Sequence, residues 1–212
     1  GHYLLYAQWR AISYSVTYDV NGGDVGRTEL NHEIGDIFTV AAAPTKTGYN
    51  FAYWTDTNHR YNAGAPYQVG GSNVVLSAIW TPKVYEISFD FNGGVGTSIV
   101  PIDYTFNTPA ASLPATGPTR EDFSFSGWSS SATSSVGSST FTPSGDIMLY
   151  AVWVPSVYYL TYEAGSGFGD VSSSKVTIGQ STTLPSATRA NHDLQGWSTQ
   201  QFGGTIMLAG SS

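Results

Sequence analysis

The sequence contains four histidines and no cysteine, which limits the metal chemistry that its side chains could support. The histidines are His2, His32, His59 and His192, and none of them falls in an HxH, HxxH or HxxxH spacing. A zinc site needs three or four nitrogen or sulfur ligands brought together, and such spacings are how short motifs supply them. We therefore expect no metal site and no cofactor, and we expect these histidines in exposed loops.

Acidic residues recur at regular intervals at Asp19, Asp90 and Glu163, each just before a glycine-rich pair. A carboxylate in this place can accept hydrogen bonds from turn amides, so a turn-stabilising role is predicted. A glycosidase would need a second carboxylate about 5–10 Å away, and no second acidic column accompanies the first. A calcium loop over residues 19–24 is the alternative, but the later acid, Asp24, does not recur.

Other nucleophile patterns are also missing. The string FSFSGWSSS (123–131) is not a G-x-S-x-G elbow, and no histidine recurs beside it. Lys46 aligns with Arg120 and Arg189, which excludes a repeated lysine–asparagine cross-link. No nucleophile, base and orienting group can be assembled from neighbouring positions, so we expect no enzyme activity and no catalytic residues.

Net charge and composition limit the classes of partner that this chain could bind. The net charge is −7, the isoelectric point is near 4.8, and no cluster of Lys or Arg exists, so we expect no nucleic-acid partner. No apolar run approaches the roughly 18–20 residues that span a bilayer, so this segment is expected to make no membrane contact. Nothing near Gly1 resembles a signal peptide, and we expect any export signal or anchor to lie outside this fragment.

Only 11% of residues are charged, which favours a mainly β secreted protein, with a small α+β fold as the alternative.

The elements that would position these residues occur as repeats. Trp9, Trp80 and Trp153 end the similar strings LLYAQW, VLSAIW and MLYAVW, spaced 71 and 73 residues apart. The strings YSVTYDVNGG (14–23), YEISFDFNGG (85–94) and YYLTYEAGSG (158–167) keep the same spacing. A third series surrounds the central tryptophans Trp54, Trp128 and Trp197. Three landmarks in constant order indicate tandem duplication, and we expect each unit to close around its own indoles.

Each landmark predicts local structure. The first strings alternate apolar and polar residues, as half-buried strands do, and Asn21-Gly22 predicts a tight turn and a hairpin. Two further columns contain only Gly, Asn and Asp, the residues that tolerate the left-handed region, and we expect turns there. Those columns are Gly35, Asn107 and Gly179, then Gly48, Asp122 and Asn191.

With YDVNGG, PTREDFSFSGW and LYAQW identified, the units resemble the internalin-type B repeat, also called the Listeria-Bacteroides repeat, of bacterial surface proteins. The resemblance implies ubiquitin-like β-grasp modules in an elongated array, on the outside of a bacterial cell. It departs from the family pattern at Tyr53, which replaces the glycine before Trp54, and at His192, which replaces an aromatic residue.

Four segments follow from the repeats. Residues 1–10 are interpreted as the closing strand of a preceding repeat, with Gly1 and His2 left open as a tag remnant. Residues 11–81, 82–154 and 155–212 form repeats one, two and three, and the third is expected to be incomplete at its closing strand. The short linkers contain Pro82 and Pro155 at matching positions, which predicts restricted bending.

Two functions fit this organisation. The first is a structural spacer or stalk of a surface protein. The alternative is an adhesin module that recognises a host glycan or protein through non-recurring aromatics, and Tyr53, Tyr61 and Tyr67 are the candidate ligand contacts. The N-terminal strand also suggests head-to-tail self-association by strand donation, against the simpler interpretation of a frayed end.

Overall fold

The computed structural model describes residues 2–24, 26–165 and 173–199. These ranges contain fifteen strands and no helix. The strands are β1 (Tyr14–Asp19), β2 (Thr28–His32), β3 (Ile37–Thr39), β4 (Tyr49–Thr55), β5 (Arg60–Tyr61), β6 (Pro66–Gln68), β7 (Val74–Pro82), β8 (Val84–Asp90), β9 (Ile102–Thr105), β10 (Ala111–Ser112), β11 (Phe123–Ser129), β12 (Thr140–Phe141), β13 (Ile147–Pro155), β14 (Val157–Leu160) and β15 (Ser174–Thr177). The prediction of a mainly β protein is confirmed.

Repeat one forms a five-stranded sheet in the order β2-β1-β7-β4-β5. Its first and last long strands, β1 and β7, are parallel neighbours, with Val16 opposite Val74 and Tyr18 opposite Leu76. The other pairs in this sheet are antiparallel. A parallel pair needs a long crossover, and here the whole middle of the repeat supplies it. The short strands β3 and β6 form a second, two-stranded sheet.

Repeats two and three reuse this plan. A four-stranded sheet has the order β11-β13-β8-β9, and β10 pairs with β12. In repeat three, β14 and β15 form an antiparallel pair that matches β1 and β2. The predicted closing strand of repeat three falls on residues 200–212, outside the described residues.

The predicted tight turn is present. Asn21 and Gly22 both have positive φ, 47° and 79°, and the Gly23 amide donates to the Val20 carbonyl at 3.0 Å. This is the two-residue geometry that suits a right-handed strand twist, and Asn92 and Gly93 repeat it. The Asp19 carboxylate accepts a hydrogen bond from the Asn21 amide at 2.9 Å. The turn-stabilising role predicted for this carboxylate is therefore confirmed.

Both left-handed columns are also confirmed. All six predicted residues have φ between 59° and 89°. They are Gly35, Asn107, Gly179, Gly48, Asp122 and Asn191.

Each of the first two repeats has its own buried core. In repeat one the buried side chains come from β1, β4, β7 and two loop positions: Val16, Tyr18, Val40, Trp54, Val69, Leu76 and Ala78. In repeat two they are Ile87, Tyr104, Leu113, Trp128, Leu149, Ala151 and Val152. In the described part of repeat three, only Leu184 is buried to this degree.

The chain divides into two compact units. One contains residues 1–87, 102–111 and 142–147, and the other contains residues 88–101, 112–141 and 148–212. The segment boundaries drawn from the sequence at 10, 81 and 154 stay a prediction.

Candidate functional site

The three central tryptophans share one hydrogen bond, although Trp54 and Trp128 are fully buried and Trp197 is only half-buried. Each indole Nε1 donates to a backbone carbonyl 12 to 14 residues earlier in the chain, at 2.7–3.1 Å. The donor–acceptor pairs are Trp54 with Ala41, Trp128 with Pro114, and Trp197 with Pro185. A buried indole needs such an acceptor, and this bond ties the central strand to the loop that covers it.

An aromatic residue of the first strand, or of the segment that follows it, packs on each central indole. Tyr18 lies 5.0 Å from Trp54, and Phe89 lies 4.7 Å from Trp128. Tyr162 and Trp197 repeat the contact at 5.0 Å. The prediction that each repeat closes around its own indole is confirmed for repeats one and two, whereas Trp197 in repeat three keeps the aromatic contact but is only half-buried.

The closing-strand tryptophans bind the tight turn. Trp80 Nε1 donates to the Val20 carbonyl at 3.0 Å, and Trp153 Nε1 donates to the Phe91 carbonyl at 3.1 Å. A side chain added at Gly23 would lie 2.8 Å from the Trp80 ring, which explains the second glycine of the Asn-Gly-Gly string. The sequence analysis did not predict this contact, although the turn and the closing tryptophan recur at a nearly constant spacing in repeats one and two.

A cation also contacts the tight turn of repeat one. Lys46 Nζ donates to the Asn21 carbonyl at 2.9 Å and lies 4.7 Å from the centre of the Tyr49 ring. In repeat two the Arg120 guanidinium lies 4.2 Å from the Phe123 ring centre. The recurring Lys or Arg is therefore structural in both repeats, a role that the sequence left unassigned.

Two of the candidate ligand contacts lie together and pack on the core. The Tyr61 and Tyr67 rings are 5.1 Å apart, and Tyr67 also lies 5.2 Å from Phe38. The Tyr61 hydroxyl donates to Asp56 Oδ2 at 3.0 Å. Burial, followed by this hydrogen bond and the nearby Asp56 charge, raises the pKa of Tyr61 to about 12.

The third candidate, Tyr53, lies apart from them. It precedes the buried Trp54 on β4, so it faces the opposite side of the sheet. The Arg60 guanidinium lies 4.7 Å from its ring centre. The structure therefore does not join Tyr53, Tyr61 and Tyr67 into one site.

A shallow recess of about 380 Å³ lies beside Tyr67. Tyr67, Asn58 and Asn73 contribute to its wall. Beside it, Thr57 has a φ of 81°, a strained value for a β-branched residue. Polar groups around an aromatic edge could hold a small hydroxylated ligand.

Asp24 and two of the four histidines, which were candidates for metal ligands, lie beside other polar groups. Asp24 accepts hydrogen bonds from the Thr45 amide and hydroxyl, both at 2.8 Å, and these bonds lower the pKa of the Asp24 carboxyl. His59 lies in an exposed loop as predicted, 3.6 Å from Asp56, but the exposed-loop prediction is wrong for His32, which lies half-buried on β2, 3.5 Å from Glu29. In the described ranges, no three His, Asp or Glu side chains are grouped as metal ligands.

The linkers between repeats are held by backbone hydrogen bonds. The Lys83 amide donates to the Gly48 carbonyl at 2.9 Å, and the Lys83 carbonyl accepts from the Phe106 amide at 2.8 Å. Ser156 repeats this arrangement between Asp122 (2.7 Å) and Ile178 (3.1 Å). The two left-handed columns thus lie at or beside the points that hold each linker.

Side chains differ between the two linkers. At the first, the Phe106 ring lies over Gly48 and 5.4 Å from the Tyr49 ring. At the second, the Tyr158 hydroxyl donates to Asp122 Oδ1 at 2.5 Å, and this bond raises the pKa of Tyr158. The backbone pattern is constant although one linker is aromatic and the other polar.

Comparison with known proteins gives one family. The sequence pattern of the Listeria-Bacteroides repeat domain matches residues 14–79, 85–152 and 158–212. The chain is 31% identical over 199 residues to a protein of Evansella cellulosilytica that is described as a Gly-rich membrane protein. It is 28% identical over 144 residues to internalin H of Listeria monocytogenes.

These relatives are much longer than the chain. The match covers 91% of the chain but 22% of the Evansella protein, and 66% of the chain but 25% of internalin H. A solved structure of streptococcal SHIRT domains 3–4, from a cell surface protein, covers 68% of the chain and 99% of its own. Its sequence is 15% identical to the chain, and the TM-score is 0.25. The described ranges contain no helix long and apolar enough to cross a membrane.

The Asp56–Tyr61 bond predicts a measurable shift. In Asp56→Asn the pKa of Tyr61 should fall from about 12 toward 10 without reaching it, because burial remains. Ring carbon chemical shifts of Tyr61, followed by NMR against pH, would report it. Asp103→Asn, at an exposed position on β9, is the control and should leave the value unchanged.

The same pair predicts how stability depends on pH. Because the folded pKa lies above the unfolded value of 10, the stabilisation should be complete below pH 10 and decline as pH rises through 12. A Tyr61 that titrates near 10 in the native protein would contradict the assigned contact.

Proposed function

Because the chain belongs to the Listeria-Bacteroides repeat family, we propose that it is a non-enzymatic spacer segment of a bacterial cell-surface protein. In this role it holds a distal part of that protein at a set distance from the cell. It uses no cofactor, metal or catalytic residue. The β-grasp assignment of each module is part of the same proposal.

The observation that supports this proposal most directly is that both linker residues make the same pair of backbone hydrogen bonds. The backbone amide of Lys83, and that of Ser156, donates to the left-handed turn of the preceding repeat. The carbonyl of the same residue accepts a hydrogen bond from the residue that follows the second strand of the next repeat. A flexible tether would leave such groups to water. A spacer needs its linkers held, because loose linkers shorten the mean reach of an array.

The separate cores also support a spacer. Modules that bury their own indoles contact mainly their sequence neighbours, so stability is local and length grows with copy number. Such an array needs no special residue in any one copy. This agrees with the structural use of the recurring acids, cations and tryptophans.

The linker analysis predicts the effect of Gly48→Ala. The added methyl group would collide with the Phe106 ring. At a φ of 77° it also costs roughly 1–2 kcal/mol for the left-handed conformation. Gly64→Ala is the matched control, because Gly64 has a φ of 79° and open space around it.

Spin labels on introduced cysteines at Asn58 and Ser135 would measure the distance between repeats one and two, in a chain that has no other cysteine. We expect a narrow distance distribution for the unaltered linker and for Gly64→Ala, and a broad one for Gly48→Ala. A distribution already broad in the unaltered chain would contradict the spacer proposal.

The recess beside Tyr67 favours one alternative, a module that binds a host glycan or surface protein. Tyr61 and Tyr67 are poor probes of it, since their loss would also damage packing. Asn58→Ala in the recess changes an exposed side chain instead, and Tyr53→Ala on the outer face of the sheet removes a half-buried ring that lies outside the core cluster.

For the spacer we expect no binding on glycan and matrix-protein arrays. Binding that Asn58→Ala abolishes and Tyr53→Ala preserves would establish the recess as a ligand site. The reverse result would place the ligand on the outer face of the sheet.

A further inference from the structure

The tight turns of repeats one and two have the same backbone geometry but hold their asparagine side chains differently. Asn21 and Asn92 have φ values of 47° and 49°. Asn21 is exposed, and its Nδ2 donates to the Ala78 carbonyl at 3.4 Å, a long distance for a hydrogen bond. Asn92 is half-buried, and its Nδ2 donates to the Ala132 carbonyl at 2.7 Å and to the Ala151 carbonyl at 3.0 Å. The Asn21 side chain is therefore held less firmly.

The backbone carbonyls of the two asparagines also have different donors. The Lys46 ammonium donates to the Asn21 carbonyl at 2.9 Å, whereas the neutral Trp153 indole donates to the Asn92 carbonyl at 3.1 Å. The Asn21 carbonyl belongs to the same peptide bond as the Gly22 nitrogen. A positive charge beside this oxygen stabilises the anion that forms when the Gly22 amide loses its proton. Lys46 therefore makes the Gly22 nitrogen a better nucleophile than its counterpart in repeat two.

Such a nitrogen can attack the side chain of the asparagine that precedes it. We propose that Asn21 is a site of spontaneous deamidation promoted by Lys46. The deprotonated Gly22 nitrogen forms a bond to Asn21 Cγ, the Cγ–Nδ2 bond breaks, and ammonia leaves with the proton that the amide gave up to water. A succinimide ring remains, and water opens it at either carbonyl to give aspartate or isoaspartate. Gly22 has no Cβ that would obstruct the attack.

The hold on the side chain sets how often the reacting atoms can meet. Ring closure requires the Asn21 side chain to rotate until Cγ reaches the Gly22 nitrogen. The 3.4 Å bond to Ala78 opposes this rotation weakly, whereas two shorter bonds oppose it at Asn92. An attack within one molecule is fast once its groups are aligned, because no second reactant has to be brought in. Burial, hydrogen bonding and charge thus all favour reaction in repeat one.

Neither product fits the tight turn. Isoaspartate adds one carbon to the backbone of a two-residue turn, which displaces the Val20 carbonyl from the Trp80 indole that donates to it at 3.0 Å. Aspartate loses the amide donor to Ala78 and places a second carboxylate beside Asp19. Deamidation therefore loosens the closure of repeat one and is a cumulative, irreversible change in this part of the chain.

Peptide mass spectrometry of the native chain tests the site. After incubation in mildly alkaline buffer, tryptic peptides 11–27 and 84–120 report Asn21 and Asn92 separately, each by a gain of about one dalton. We expect Asn21 to react roughly tenfold faster, because a weaker hydrogen bond and an added charge each change the rate severalfold. A sample digested without incubation gives the background.

The two sites are matched in sequence, since both asparagines precede Gly-Gly. In urea, where the turns are lost, their rates should therefore become similar. Equal rates in the native chain, faster reaction at Asn92, or no gain of mass at Asn21 would overturn the proposal.

Variants at Lys46 distinguish activation by its charge from a structural role. Lys46→Met keeps an apolar stem without the charge and should slow deamidation of Asn21 roughly two- to fivefold. Lys46→Arg, with the residue type of the aligned position 120, should keep the native rate. The rate at Asn92 is the internal control and should not change. If Lys46→Met leaves the Asn21 rate unchanged or raises it, Lys46 only braces the turn and the proposal is wrong.

Discussion

The fold depends on one hydrogen bond, from a central tryptophan to the carbonyl of the loop that covers it. Each module has about 70 residues and no disulfide, so a few large side chains must supply most of its core. Trp54 and Trp128 are each 1% exposed, and a buried indole without an acceptor costs roughly 1–3 kcal/mol. The bond therefore determines where the covering loop must pass. In repeat one the first and last strands, β1 and β7, are parallel neighbours.

Much of this could be predicted from the sequence. Strand alternation, the Asn-Gly turn and the left-handed columns are local signals, and the structure follows them at Asn21, Asp122 and Asn191. The parallel pairing of β1 with β7 was not predictable, because alternation gives a strand its faces but not its neighbour. The hydrogen bonds of Lys83 could not be predicted either, because they use backbone groups, which every residue type has.

Candidate sites were harder to predict than the fold, because a residue that fails to recur can still serve the core. Tyr61 and Tyr67 were selected as non-recurring aromatics, yet both pack against the buried cluster of repeat one. The recurring Lys46 position gives no sequence signal for its contact with the turn carbonyl, which is visible only in three dimensions. Repetition thus identifies structural positions well, while its absence identifies ligand contacts poorly. Membership of a repeat family and modules with separate indoles together favour a mechanical role over a chemical one.

The central claim is that each repeat is stabilised by its own indole and loop. Hydrogen–deuterium exchange by mass spectrometry on Trp128→Phe tests it most directly, because phenylalanine keeps an aromatic ring but cannot donate to the Pro114 carbonyl. The account predicts faster exchange in β8 and β13 of repeat two, with β1 and β7 of repeat one unchanged. Equal acceleration in all four strands would show a single shared core and would contradict it.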